Sequence, residues 1–163
     1  MEIILAENHG FCYGVKRAVE MANEAADGKG KSYTLGPIIH NPQVVGRLES
    51  KGVSPIQEVA DIDEGTMIIR SHGVGPAIYA EAEEKGLHIL DATCPHVKKA
   101  QQDAKSVIED GMTLVILGEK NHPEVKSINL WANNKGIIIE DEESAKKLQI
   151  VEKMGVVVQT TFS

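Results

Sequence analysis

Two cysteines and one tryptophan stand in 163 residues, and aromatic residues make up only 4% of the chain. Two cysteines are too few for a disulfide framework, and they lie far apart, whereas structural zinc sites favour tight local pairs. Long apolar runs are also missing. The stretch "MTLVILG" at 112–118 is strand-sized, so nothing reads as a membrane-spanning helix. The opening "MEIILAENHG" has no basic residues ahead of its apolar run and does not read as a signal peptide. The expected compartment is the cytoplasm, where thiols stay reduced. Basic residues are outnumbered, 17 Lys and Arg against 24 Asp and Glu, for a net charge of −7. That balance argues against a broad nucleic-acid surface and leaves room for one anionic ligand in a local pocket.

What is present is alternation. Strand-like runs are expected at Ile3–Ala6, Tyr33–Leu35, Met67–Ile69, His88–Leu90, Met112–Leu117, Ile137–Ile139 and Val156–Val158. Helical patterns lie between them, at Gly14–Ala26, Pro42–Lys51, Ala77–Lys85, Val97–Asp110, Pro123–Trp131 and Glu142–Leu148. Pro42, Pro95 and Pro123 sit where helices begin, and Gly52, Gly86 and Gly111 where they end. Strands alternating with helices imply an α/β fold with parallel sheet.

The alternation repeats. Cys12 and Cys94 are 82 positions apart, and the same step carries Val15 to Val97, Lys16 to Lys98, Arg17 to Lys99, Ala18 to Ala100, Gly36 to Gly118 and His40 to His122. Further on, with a small gap, "MIIRSHG" matches "VVVQTTF". The pattern implies two copies of one α/β unit of roughly 80 residues, divided as 1–95 and 96–163. In α/β sheets functional groups gather at the carboxyl ends of strands. Cys12, Cys94, His40, His122 and His72 each follow an expected strand, so all five are expected to face one centre. Helix N-termini there favour anions and thiolates.

Three chemistries suit such a set. Cys12, Cys94, His40 and His122 have the composition of a Cys2His2 zinc site. A phosphate-binding module without catalysis would use the histidines and helix N-termini alone. An iron–sulfur cluster needs more thiolates than two, and one repeat step beyond Cys94 points to a third at roughly position 176, past Ser163. His9, His88 and His96 carry no such pattern and are expected at the surface or in packing, and the acidic blocks "EAEEK" and "EDEES" are solvated helix faces.

The strings "GFCYGV", "GPIIHNPQVV", "SHGV", "DATCP", "HPEV" and "QTTFS" together resemble the LytB family, the 4-hydroxy-3-methylbut-2-enyl diphosphate reductases. Each string is weak alone; all in family order and at fitting spacings are specific. The resemblance implies a trefoil of three α/β units around a 4Fe–4S cluster held by three cysteines, two of them Cys12 and Cys94. The third unit and the third cysteine are expected outside residues 1–163. It implies reductive dehydroxylation of an allylic diphosphate in the non-mevalonate isoprenoid pathway. Glu124 would serve as proton relay, Thr160 would align it, and His122 would take part in catalysis. His40, His72, His122 and Thr160 would contact the substrate. A ferredoxin or flavodoxin would donate electrons, since no flavin or nicotinamide motif is present. Residues 1–163 by themselves are expected to be inactive and to self-associate through an uncovered apolar face.

Overall fold

The computed structural model describes residues 2–7, 9–28, 30–149 and 152–162. Helix α1 (Tyr13–Asp27) leads into β1 (Ser32–Leu35), and α2 (Pro42–Ser50) into β2 (Val53–Ile56). A 3-10 turn at Val59–Asp61 precedes β3 (Thr66–Ile69), and α3 (Pro76–Glu84) precedes β4 (His88–Asp91). The cycle then restarts with α4 (Pro95–Glu109), β5 (Thr113–Leu117), α5 (Pro123–Trp131), β6 (Ile137–Ile139), α6 (Glu142–Lys146) and β7 (Met154–Val158).

Two sheets result, ordered β2-β1-β3-β4 and β6-β5-β7, and every pairing is parallel. In each, the first strand of the cycle sits between the second and the third. The sequence repeat therefore has a counterpart in connectivity. The first sheet is covered on both faces. Ile68 packs with Ala18, Ala22, Val44 and Leu48 of α1 and α2, while Met67 and Ile69 pack with Val59, Ile62 and Ala82 on the other side. Alternate residues of one strand thus feed two cores, as pleating requires. In the second sheet Leu114, Ile116 and Val157 pack with Ala100, Ala104, Val125 and Ile128. Val156 and Val158 of the edge strand β7 remain about half exposed, at 53% and 45%.

Local chemistry sets the helix starts. Asn41 Oδ1 accepts from Val44 N at 3.0 Å and His122 Nδ1 from Glu124 N at 3.2 Å, each just ahead of a proline whose missing N–H costs nothing there. As helix caps, Asn41 and His122 are counterparts, so the 82-residue step slips by one here. Two expectations fail. Residues 3–6 form no strand, and Ile3, Ile4 and Leu5 are 73–82% exposed, because no sheet edge lies alongside them among the described residues. Cys12 consequently follows no strand among the described residues, whereas Cys94 follows β4. The strand Val53–Ile56 has no counterpart among the expected strands. Its Pro55 is tolerated because β2 is an edge, bonded only to β1.

Candidate active site

The carboxyl ends of β1, β3 and β5 bring three imidazoles together. His40 lies between β1 and α2, His72 in the loop after β3, and His122 at the start of α5. Their ring centroids are 4.5 Å apart for His40–His72, 5.4 Å for His72–His122 and 5.9 Å for His40–His122. One nitrogen from each falls within 4.8 Å of the others. Because His122 Nδ1 accepts from Glu124 N, the neutral ring carries its proton on Nε2 and keeps that donor for a ligand. Burial lowers the His72 pKa to about 4, helped by the nearby His40, His122 and Arg70. Its Nδ1 is buried and has no hydrogen-bond partner among the described residues.

Glu124 is the acidic member. It is 2% exposed, yet its carboxylate borders the cleft. Thr160 holds both of its oxygens: the backbone N donates to Oε1 at 2.6 Å and Oγ1 donates to Oε2 at 2.9 Å. These residues are 36 positions apart in sequence and meet because α5 and the end of β7 flank β5. The cleft, about 270 Å³, is lined by Phe11, Val15, His40, His72, Glu124 and Thr161, among others.

Neither cysteine lines this cleft, although Phe11, next to Cys12 in sequence, and Ser71, bonded to Cys94 N, do. Each cysteine is the N-cap residue of a 15-residue helix, Cys12 of α1 and Cys94 of α4, and neither side chain bonds the helix end. Cys94 N donates to Ser71 O, next to His72, at 2.9 Å. Arg17 of α1 reaches Thr93 O at 3.2 Å, tying the helix of one cysteine to the loop of the other. Gly14 completes the junction: a Cβ there would sit 2.5 Å from Cys94 Sγ. Two unpaired thiols at the N-termini of helices joined by these contacts suit thiolate ligation of an iron–sulfur group. They do not suit Cys2His2 zinc. Among the described residues the convergent donor set is three imidazoles, with neither sulfur in it.

Sequence reasoning misses Thr161 and Ser71 in the cleft wall. Both are legible in the gapped repeat, which pairs "RSH" after β3 with "QTT" after β7 and so sets Thr161 opposite His72. Ser163, the last residue of "QTTFS", lies outside the described residues. His9, His88 and His96 are exposed and away from the cleft lining.

The model of the family described as LytB protein matches residues 3–163. The chain belongs to the LytB family. A 4-hydroxy-3-methylbut-2-enyl diphosphate reductase of Geotalea uraniireducens is 51% identical over 163 residues, which is all of this chain and 58% of that protein. The protein of the same name from Pelobacter propionicus is 52% identical over the same span. A solved structure of the reductase, described as the terminal enzyme of the non-mevalonate pathway, superposes with a TM-score of 0.85 at 46% identity, over 98% of this chain and 58% of that one. The Plasmodium falciparum reductase superposes with a TM-score of 0.90 at 33% identity, over 95% of this chain and 50% of that one. The chain thus spans just over half the length of the relatives it matches.

Proposed function

We propose that this chain forms the greater part of a 4-hydroxy-3-methylbut-2-enyl diphosphate reductase, and that residues 1–95 and 96–163 are its first two α/β units. The single observation that carries the reading is Glu124, a buried carboxylate fixed at both oxygens, facing a cleft whose other wall is three imidazoles. A polyanion with a hydroxyl at its far end suits that cleft.

The overall reaction breaks one carbon–oxygen bond. An allylic alcohol takes up two electrons and two protons; the hydroxyl leaves as water and a carbon–hydrogen bond forms. The products are isopentenyl and dimethylallyl diphosphate. Hydroxide is a poor leaving group, so a proton must reach the departing oxygen. Glu124 relays it: the carboxylate takes a proton from solvent on a lone pair that Thr160 leaves free and passes it to the departing hydroxyl. Thr160 Oγ1 reorients between that hydroxyl and Glu124 Oε2, which keeps donor and acceptor in line. His122 Nε2–H, His40 and His72 hold the diphosphate through hydrogen bonds to its charged oxygens. A diphosphate beside His72 favours its protonated form and so opposes the effect of burial.

Cys12 and Cys94 would hold a 4Fe–4S cluster, with a third cysteine from outside residues 1–163. When bound, the cluster supplies the two electrons and Lewis acidity at the carbon–oxygen bond. An external ferredoxin or flavodoxin class of donor reloads it. The helices on either side of the first sheet, and the attachment of α4 to α5, β5 and β7, support a unit boundary near residue 95. No helix among the described residues is long and apolar enough to cross a membrane, in keeping with a cytoplasmic pathway enzyme.

The test uses the complete protein, reconstituted without oxygen. Iron and sulfide near four each per chain, with diphosphate-dependent turnover by a chemical reductant, is the expected result. A colourless protein that binds pyrophosphate and turns nothing over would instead be a phosphate-binding module.

A further inference from the structure

The loop that carries His72 is attached to the other unit by a few directed bonds, and one buried side chain lies at their centre. Ser127 is on α5, one turn after Glu124, and is 2% exposed. Its Oγ lies 2.8 Å from His72 O and 2.9 Å from Glu124 O, and it accepts from Gln101 Nε2 at 3.1 Å. Gln101, on α4, is 3% exposed.

A hydroxyl has one proton and so donates to one carbonyl at a time. Glu124 O lies inside α5, where the helix ladder supplies a backbone donor four residues on. His72 O belongs to a loop, and Ser127 is its hydrogen-bond donor. Gln101 fills the acceptor side and thereby orients the proton away from α4. Next in the chain, Gly73 has φ +72°, and a Cβ there would collide with Gln101 Nε2. The loop backbone therefore lies directly on Gln101. One helical turn beyond Ser127, Trp131 Nε1 donates to Val74 O at 2.9 Å. Residues 72 and 74 are thus both held by the same face of α5.

We propose that Ser127 is a positioning residue whose hydroxyl fixes the His72 loop to the helix carrying His122 and Glu124. The inference rests on the reading that His72 contacts the diphosphate. Apolar packing alone would join loop to helix but would leave His72 free to slide. A directed bond to its own carbonyl fixes where the imidazole stands relative to His122 and the proton donor.

The test measures two things in the complete protein: affinity for inorganic pyrophosphate by calorimetry, and titration of the His72 ring by NMR, assigned with a His72→Asn spectrum. In Ser127→Ala the His72 carbonyl loses its donor. Pyrophosphate affinity is expected to fall about tenfold, and the His72 pKa to rise from about 4 toward its ordinary 6.5 as the loop loosens. Ser127→Thr keeps the hydroxyl and is expected to restore both. A lower melting temperature in Ser127→Ala with both readouts unchanged would mean a purely structural role and overturn the proposal. If Ser127→Ala fails to fold, Ser127→Cys keeps the volume with a weaker donor, and unchanged readouts there overturn it equally. Absence of pyrophosphate binding in the parent protein would refute the diphosphate reading, while the His72 titration would still decide the role of Ser127.

Discussion

Thr160 grips the carboxylate of Glu124 at both ends, donating from its backbone N to Oε1 at 2.6 Å and from Oγ1 to Oε2 at 2.9 Å. The two bonds differ in what mutation can reach. The backbone bond survives any substitution of Thr160 except proline; the hydroxyl bond survives only a change to serine.

Glu124→Gln keeps the shape but cannot release a proton as an acid does. In the reconstituted complete enzyme it is expected to lower kcat by roughly 10²–10⁴-fold, the range typical of positioned general acids. Iron content should stay at the parent level. Turnover within a few-fold of the parent would remove Glu124 from the proton path.

Thr160→Val separates alignment from acidity. It deletes only the Oγ1 bond and keeps the β-branched shape. Loss of one hydrogen bond to a charged group is worth about 1.5–3 kcal/mol, so kcat is expected to fall roughly 10–100-fold, less than for Glu124→Gln. Thr160→Ser should recover most of it. If Val and Ser variants behave alike, the hydroxyl has no part in alignment.

Much of this site is legible in the amino-acid sequence. The 82-residue step sets both cysteines at helix starts, and in the fold both are N-cap residues. What stays hidden has a physical cause in each case. Val53–Ile56 escapes because Pro55 argues against a strand, and only an edge position makes it acceptable. Residues 3–6 have strand-like composition, but composition cannot tell whether an edge is available to pair with them. The Glu124–Thr160 grip joins a helix start to a strand end 36 residues later, and no local pattern encodes that meeting. Ser127 escapes because a serine inside a helical pattern carries no signal until its neighbours in space are known.

His72 makes folding and binding respond to pH in opposite ways. Its pKa is depressed to about 4 in the folded chain, against 6.5 when unfolded. Between those values the unfolded chain binds more protons, so stability should fall as pH drops from 6.5 toward 4, with no contribution from this group above that window. Pyrophosphate favours the charged ring, so its binding at pH 6 should take up protons. Calorimetry in buffers of different ionisation enthalpy measures that uptake. Uptake that is unchanged in His72→Asn would assign the protons elsewhere.

Gly14→Ala sets two effects against each other. Alanine is favoured over glycine by up to about 1 kcal/mol in a helix interior, and by less at Gly14, the second residue of α1. The added Cβ, however, would lie 2.5 Å from Cys94 Sγ, far inside contact distance, and the thiol must turn away. Overlap at the sulfur outweighs the gain in propensity for metal binding, though not for folding. The expected variant is as stable as the parent in thermal melts and retains less than half its iron after anaerobic reconstitution and desalting. Full iron retention would show that Cys94 Sγ points elsewhere in the loaded protein.

Residues 1–163 taken alone supply two thiolates, at Cys12 and Cys94. A cubane cluster has four irons, and in the proposed enzyme three are held by cysteine. With two thiolates, at least one more iron is left to water and small thiols, and exchange there lets the cluster come apart. The isolated residues are therefore expected to fold, since each sheet has its own packed core, yet to lose iron on desalting and show no turnover. Exposed Ile3, Ile4 and Leu5, together with the half-exposed Val156 and Val158, give residues 1–163 more exposed apolar surface than a monomer normally shows. Sedimentation at increasing concentration should accordingly show self-association. Anaerobic reconstitution, iron counting and assay with a chemical reductant test the first expectation. Four irons retained, with turnover near that of the complete protein, would mean that two cysteines suffice and that no third thiolate is needed.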